Sequence, residues 1–146
     1  MRVLFDTNIL LRMVDATHAH HLAVGLAISE LRKQELDVYI SSQSLYEFLA
    51  VATRLPANQG LGWTQSQAVA GLNQVRSSVI VLFDTPLIAN RLTEIVLAYS
   101  VVGKSVHDAR LVATMDVAKI NTILTINAKD FRRYHNITVI DPLSNS

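Results

Sequence analysis

The fold this sequence predicts is α/β: a three-layer α/β/α sandwich around a central parallel sheet. Three observations predict it. Short β-branched runs recur along the chain, helical stretches lie between most of them, and the first run ends in an aspartate. Strands alternating with helices imply parallel βαβ units, and ligands in such sheets sit beyond the carboxyl ends of the strands. The 146 residues suit one domain, 1–146, with a substantial core. Half the residues are hydrophobic, so material for that core is ample.

The elements follow in order. Val3–Phe5 is the first strand and leads into Asp6. Val24, Ala27, Ile28 and Leu31 then give the i, i+3, i+4, i+7 spacing of a helix. Val38–Ile40 is the second strand, and Leu45, Phe48, Leu49 and Ala52 repeat the helical spacing. The segment Leu55-Pro-Ala-Asn-Gln-Gly-Leu-Gly62 reads as a helix–helix connection, so two helices separate the second and third strands. Thr64 followed by Gln67 resembles a capping box that opens a helix running to about Arg76. Val79–Leu82 is the third strand. Asp84 and Thr85 before Pro86 read as an N-cap region, with proline in the first turn of a helix reaching about Ser100. A further helix runs from His107 to about Ala118, followed by strands at Thr122–Leu124 and Thr138–Ile140.

Composition excludes several classes. A net charge of +1 carries no basic signature that would by itself argue for nucleic-acid binding, although a metal site can hold phosphate without one. The absence of cysteine removes disulfides, thiolate zinc sites and cysteine nucleophiles. Apolar runs such as Val79 to Phe83 fall far short of the roughly 18 residues of a membrane span. An acid at the sixth position leaves no apolar signal segment, so a soluble, cytoplasmic protein is expected.

Four carboxylates fall where a strand ends or a helix offers a face: Asp6, Glu47, Asp108 and Asp130. Each has an ordinary reading. Asp6 can cap a turn with Asn8; Glu47 can complete a capping box with Ser44; Asp108, three after Ser105, can be a first-turn acid favoured by the helix dipole. Asp130, beside Lys129, Arg132 and Arg133, can be a salt-bridged surface residue. Gathered on one sheet, however, the four would repel one another, and a hard divalent cation offsets that repulsion. Mg²⁺ takes oxygen ligands, often a few carboxylates plus water and substrate phosphate, and Mn²⁺ suits the same donors.

MRVLFDTNILL, SSQSLYEFLAV, HDARLVATM and ILTINAKDF come in the order and spacing of the PIN-domain ribonucleases. The chain most resembles the VapC-like toxins of type II toxin–antitoxin pairs, from Arg2 to about Ile140. The resemblance implies a Mg²⁺- or Mn²⁺-dependent endoribonuclease with strand order 3-2-1-4-5. It maps the family's acids onto Asp6, Glu47 and Asp108, and the acid before the phenylalanine onto Asp130. Asn127 stands where some relatives have a carboxylate. Thr7 and Asn8 are implied to orient the first acid, with Thr125 near the site. An RNA substrate, an antitoxin partner and a homodimer are implied as well.

Two other functions fit parts of the pattern. Aspartyl-nucleophile phosphatases of the haloacid dehalogenase type carry D-x-D-x-T at the first strand, whereas Asp6-Thr7-Asn8-Ile9-Leu10 lacks the second aspartate. A PIN-fold binding module that has lost turnover is the other, and Asn127 leaves room for it. Among the remaining residues, His18, His20 and His21 match no standard zinc spacing and read as a surface helix start. His107, just before Asp108, reads as a general acid or as a solvated neighbour of that acid. Lys129, Arg132, Arg133 and His135 form a compact basic patch, either an RNA phosphate contact or a solvated helix face. Leu61 and Trp63 either pack on a partner chain or fill the core.

The string VLFDTN at Val3–Asn8 returns as VLFDTP at Val81–Pro86, which poses the question of whether Asp6 and Asp84 share a site. In the implied strand order the first and third strands are two places apart, about 10 Å at the usual spacing. Asp84 is therefore expected to cap the following helix rather than join Asp6.

Overall fold

The computed structural model describes residues 1–144; residues 145 and 146, the end of the expected domain, lie outside the described residues. Its five strands are β1 (Arg2–Phe5), β2 (Asp37–Ser41), β3 (Ile80–Leu82), β4 (Thr122–Leu124) and β5 (Thr138–Ile140). They form one parallel sheet in the order β3-β2-β1-β4-β5, the order the resemblance implies. β1 is central, with Leu4 opposite both Tyr39 and Ile123.

The helices are α1 (Thr7–Val14), α2 (His21–Leu31), α3 (Ser42–Thr53), α4 (Gln65–Arg76), α5 (Pro86–Ala98), α6 (Ser105–Ala118) and α7 (Ala128–Phe131). Both faces of the sheet are covered, which is why Val3, Leu4 and Phe5 are all buried rather than alternately exposed. The strand period divides them between two cores. Val3, Phe5 and Leu124 pack with Ile9, Val24 and Phe48 on one side. Leu4 and Ile123 pack with Ile95, Leu111 and Phe131 on the other. Among the described residues no helix is long and apolar enough to cross a membrane.

Two helices go beyond the sequence reading. α1 follows β1 without a loop, because Asp6 ends the strand and caps the helix at once. Its carboxylate accepts from the Thr7 backbone N–H, and its carbonyl accepts from those of Ile9 and Leu10. α7 is a single turn after β4. Elsewhere the boundaries move little: α6 begins at Ser105 rather than His107, and α5 ends at Ala98. The Thr64–Gln67 capping box is present, with both reciprocal hydrogen bonds.

The connection between α3 and α4 contains a short 3-10 turn at Pro56–Asn58 and is tied to the end of α3. Leu61 and Trp63 donate backbone hydrogen bonds to the carbonyls of Val51 and Ala52. Both side chains are part-buried against the first core. Gly71 on α4 makes room for this, since a Cβ there would come 3.0 Å from the Trp63 ring.

Candidate active site

Asp6 stands at the carboxyl end of the central strand. Its Oδ1 accepts from the Thr7 backbone N–H at 2.7 Å. Its Oδ2 accepts from Thr125 Oγ1 at 2.7 Å and from Asn8 Nδ2 at 3.1 Å. Thr125, fully buried at the end of β4, also accepts from the Asn127 backbone N–H. Asn8 closes the frame, its Oδ1 accepting from the Ile126 backbone N–H. Residues from both sides of the β1–β4 pair thus fix the orientation of one carboxylate.

Glu47 reaches the same place from α3. Ser41, not Ser44, is the N-cap of that helix, its Oγ accepting from the Ser44 backbone N–H, so Glu47 is not part of a capping box. Free of that role, Glu47 accepts from Thr7 Oγ1 at 2.8 Å and from Gln43 Nε2 at 2.6 Å. Thr7 therefore serves two acids, Asp6 through its backbone and Glu47 through its hydroxyl. Asp108 lies in the first turn of α6 and is half-buried. Lys104 is the N-cap there and makes no side-chain cap hydrogen bond, and Asp108 is the first-turn acid of the helix.

The charges are felt across these gaps. Burial raises the Asp6 pKa most, and the negative charge of Glu47 raises it further against the lowering hydrogen bonds from Thr125, Thr7 and Asn8. Burial also pushes Asp108 up to about 6, with Asp6, Asp130 and Glu47 each adding to the rise. The proximity of Asp130 is registered in that effect, although Asp130 itself is exposed in the first turn of α7. Asn127 is the N-cap residue of α7; its exposed side chain makes no capping hydrogen bond.

A divalent cation suits this donor set. Among the described residues no three His, Asp or Glu side chains are gathered tightly enough to form a ready-made cage. Mg²⁺ does not need one, since it usually keeps several waters and uses one or two carboxylates. The donors are all oxygen, and the repulsion that Asp6, Asp130 and Glu47 exert on Asp108 is opposed only weakly, by His107.

The basic patch divides. Arg133 donates to the Tyr99 carbonyl and lies over the Tyr134 ring, which commits it to packing. Arg132 lies 3.9 Å from Asp141, and Lys129 is exposed. The His18 and His20 rings meet at a tilt of 51° at the approach to α2, with their centroids 5.2 Å apart.

The expected cap at Asp84 is not formed. Thr85 is the N-cap of α5 and makes no side-chain cap hydrogen bond. Asp84 instead accepts from Ser42 Oγ at 2.9 Å and forms an ion pair with Arg110 of α6. A guanidinium offers a charged donor, whereas Pro86 offers no backbone N–H at all. Gln43 and Arg110 are the residues the sequence reading missed. Gln43 carries a signal, since it stands one helical turn before Glu47; Arg110 carries none, because its partners lie on other elements.

Comparisons with known proteins agree with this architecture. A profile of the PIN domain matches residues 3–137. Compared with curated proteins, the chain matches none. Among solved structures, VapBC2 from Rickettsia felis, bound to a DNA fragment from its promoter, superposes with a TM-score of 0.74 at 16% identity, covering 97% of this chain and 98% of that one. VapBC-1 from nontypeable Haemophilus influenzae gives 0.71 at 16% identity, with coverage of 97% and 98%. The Sarcin-Ricin loop cleaving toxin VapC20 from Mycobacterium tuberculosis gives 0.62 at 17% identity, covering 83% of this chain and 86% of that one. At such identities the superpositions speak for the fold, while the profile spans most of the sequence: the chain belongs to the PIN domain family.

Proposed function

We propose that the protein is a metal-dependent endoribonuclease that hydrolyses RNA phosphodiester bonds, the toxin of a type II toxin–antitoxin pair. The observation that carries the reading is geometric: Thr7 bridges Asp6, at the carboxyl end of β1, to Glu47 of α3, while Asp108 and Asp130 stand in the first turns of α6 and α7. Asp6, Glu47 and Asp108 would hold Mg²⁺ or Mn²⁺, with Asp130 at the rim. A bound divalent ion supplies an activated water and neutralises charge on the phosphodiester. Asp6 contributes a pre-oriented carboxylate, because three donors fix it before any substrate arrives. Thr7 holds Glu47, and Asp108 brings its charge into the cluster from the opposite helix layer. Lys129 and Arg132, both exposed and close to Asp130 in the chain, would meet RNA phosphates. Relatives solved as VapBC complexes support an antitoxin as partner.

The test is cleavage of labelled structured RNA by purified protein with Mn²⁺ and then with EDTA. Asp6→Asn and Asp108→Asn should fold and fail to cleave, as should wild type in EDTA. Wild-type cleavage by folded Asp108→Asn would sink the proposed site.

A binding module without turnover is the second reading, favoured by the amide at Asn127 and the absence of a tight acid triad among the described residues. Metal-independent RNA binding without cleavage would select it. The phosphatase reading loses further ground, since Asn8 spends its amide on Asp6 and the Ile126 backbone where a general acid would stand.

A further inference from the structure

Asp84, Arg110, Gln43 and Glu47 form one unbroken chain of polar contacts across three elements. Arg110 divides its guanidinium: one nitrogen donates to Asp84 Oδ2 and another to Gln43 Oε1 at 2.8 Å. Gln43 is buried and its amide is fully directed. Its Oε1 faces Arg110, while its Nε2 donates to Glu47 Oε1 at 2.6 Å and to the His107 carbonyl at 3.3 Å. Ser42 holds the other oxygen of Asp84. The far end of the chain thus lies at the β3–α5 junction and the near end on a carboxylate of the acid cluster.

Resting on the nuclease reading, we infer that Arg110 and Gln43 are positioning residues that fix the Glu47 carboxylate as a metal ligand, with Asp84 as their anchor. The arginine cannot turn without leaving Asp84. The glutamine amide cannot flip without setting an oxygen against Glu47 and an N–H against the guanidinium. One oxygen of Glu47 is held by this chain and the other by Thr7, so the carboxylate keeps a single orientation. The repeated VLFDT string therefore serves one site twice: Asp6 within it, and Asp84 through two intermediaries.

The geometry separates positioning from mere charge. Lysine at 110 keeps the positive charge, but a single ammonium is a point donor without the planar fork that spans two acceptors. The test is Mn²⁺ affinity, measured by calorimetry without RNA on wild type, Glu47→Gln, Gln43→Met, Arg110→Lys and Arg110→Met, alongside kcat and KM. Loss of such an outer partner typically weakens metal binding about 10- to 100-fold. Gln43→Met and Arg110→Met should each weaken Mn²⁺ binding by about tenfold, and the double variant by no more than the worse single one. Arg110→Lys, conservative and part-exposed, should fold and should not restore affinity. In RNA cleavage the loss should fall on kcat rather than KM. Wild-type Mn²⁺ affinity in Gln43→Met or Arg110→Lys, with Glu47→Gln impaired, overturns the positioning chain and leaves the nuclease reading standing. Mn²⁺ binding unchanged in Glu47→Gln, or absent in wild type, overturns the chain and the metal assignment together.

Discussion

At the scale of single residues, the acid cluster sets opposing demands. Asp108 titrates at about 6 in the folded protein against 3.8 as its ordinary value, chiefly because burial disfavours its charge. Between those two values the folded state holds more of this proton than the unfolded state does. The contribution of Asp108 to stability therefore falls as pH rises across the interval and stays lower above it. An asparagine carries no charge to disfavour. In EDTA, Asp108→Asn should accordingly be more stable than wild type at neutral pH, with the difference shrinking towards pH 4. Excess Mn²⁺ should favour wild type instead, because an ion that binds the folded state stabilises it. Urea unfolding at both pH values, with and without metal, checks the prediction; an identical pH trend in the two proteins would contradict it. The same residues show what a sequence can reveal. That Asp6 ends a strand was legible from VLFD, since both signals are local. That Glu47 is freed from capping depends on Ser41 taking the N-cap, and Ser41 and Ser44 look alike on paper.

At the scale of elements, local signals held and tertiary ones did not show. The Thr64–Gln67 box was readable because both partners sit within one turn. Thr64→Ala should cost about 1 kcal/mol in denaturant unfolding. RNA cleavage should be unchanged by it, because α4 contributes no acid to the cluster; a loss of cleavage at full folding would imply that α4 couples to the site. α1 escaped notice for a different reason. Ile9, Leu10 and Leu11 continue the apolar run of β1 past a three-residue polar break, so no loop signals the change of period. Asp84 misled because proline two residues later is a sound helix-start signal, while its partner Arg110 lies 26 positions away and on another helix. Distance along the chain is what hides such a contact.

At the scale of the whole molecule, apolar side chains remain on the outside: Leu22 and Leu26 on one face of α2, and Leu97 and Val102 around the end of α5. Scattered exposed apolar residues are ordinary, but pairs on a shared face suit association. The resemblance implies a homodimer, and light scattering at micromolar concentration should give about twice the monomer mass of 16.2 kDa. A monomer across that range would contradict it.

The central place of β1 sets a timetable. Leu4 and Phe5 pair with Ile123 and Leu124, and Asp6 receives a hydrogen bond from Thr125, 119 positions later. Translation proceeds from the N-terminus at about 5–20 residues per second, so Asp6 waits on the order of ten seconds for that partner. The first acid of the cluster to be synthesised is among the last to be set in place. A nascent chain shorter than about residue 125 has neither the completed strand pair nor the oriented carboxylate, so any activity of the site begins only after Thr125 has been added and has met Asp6.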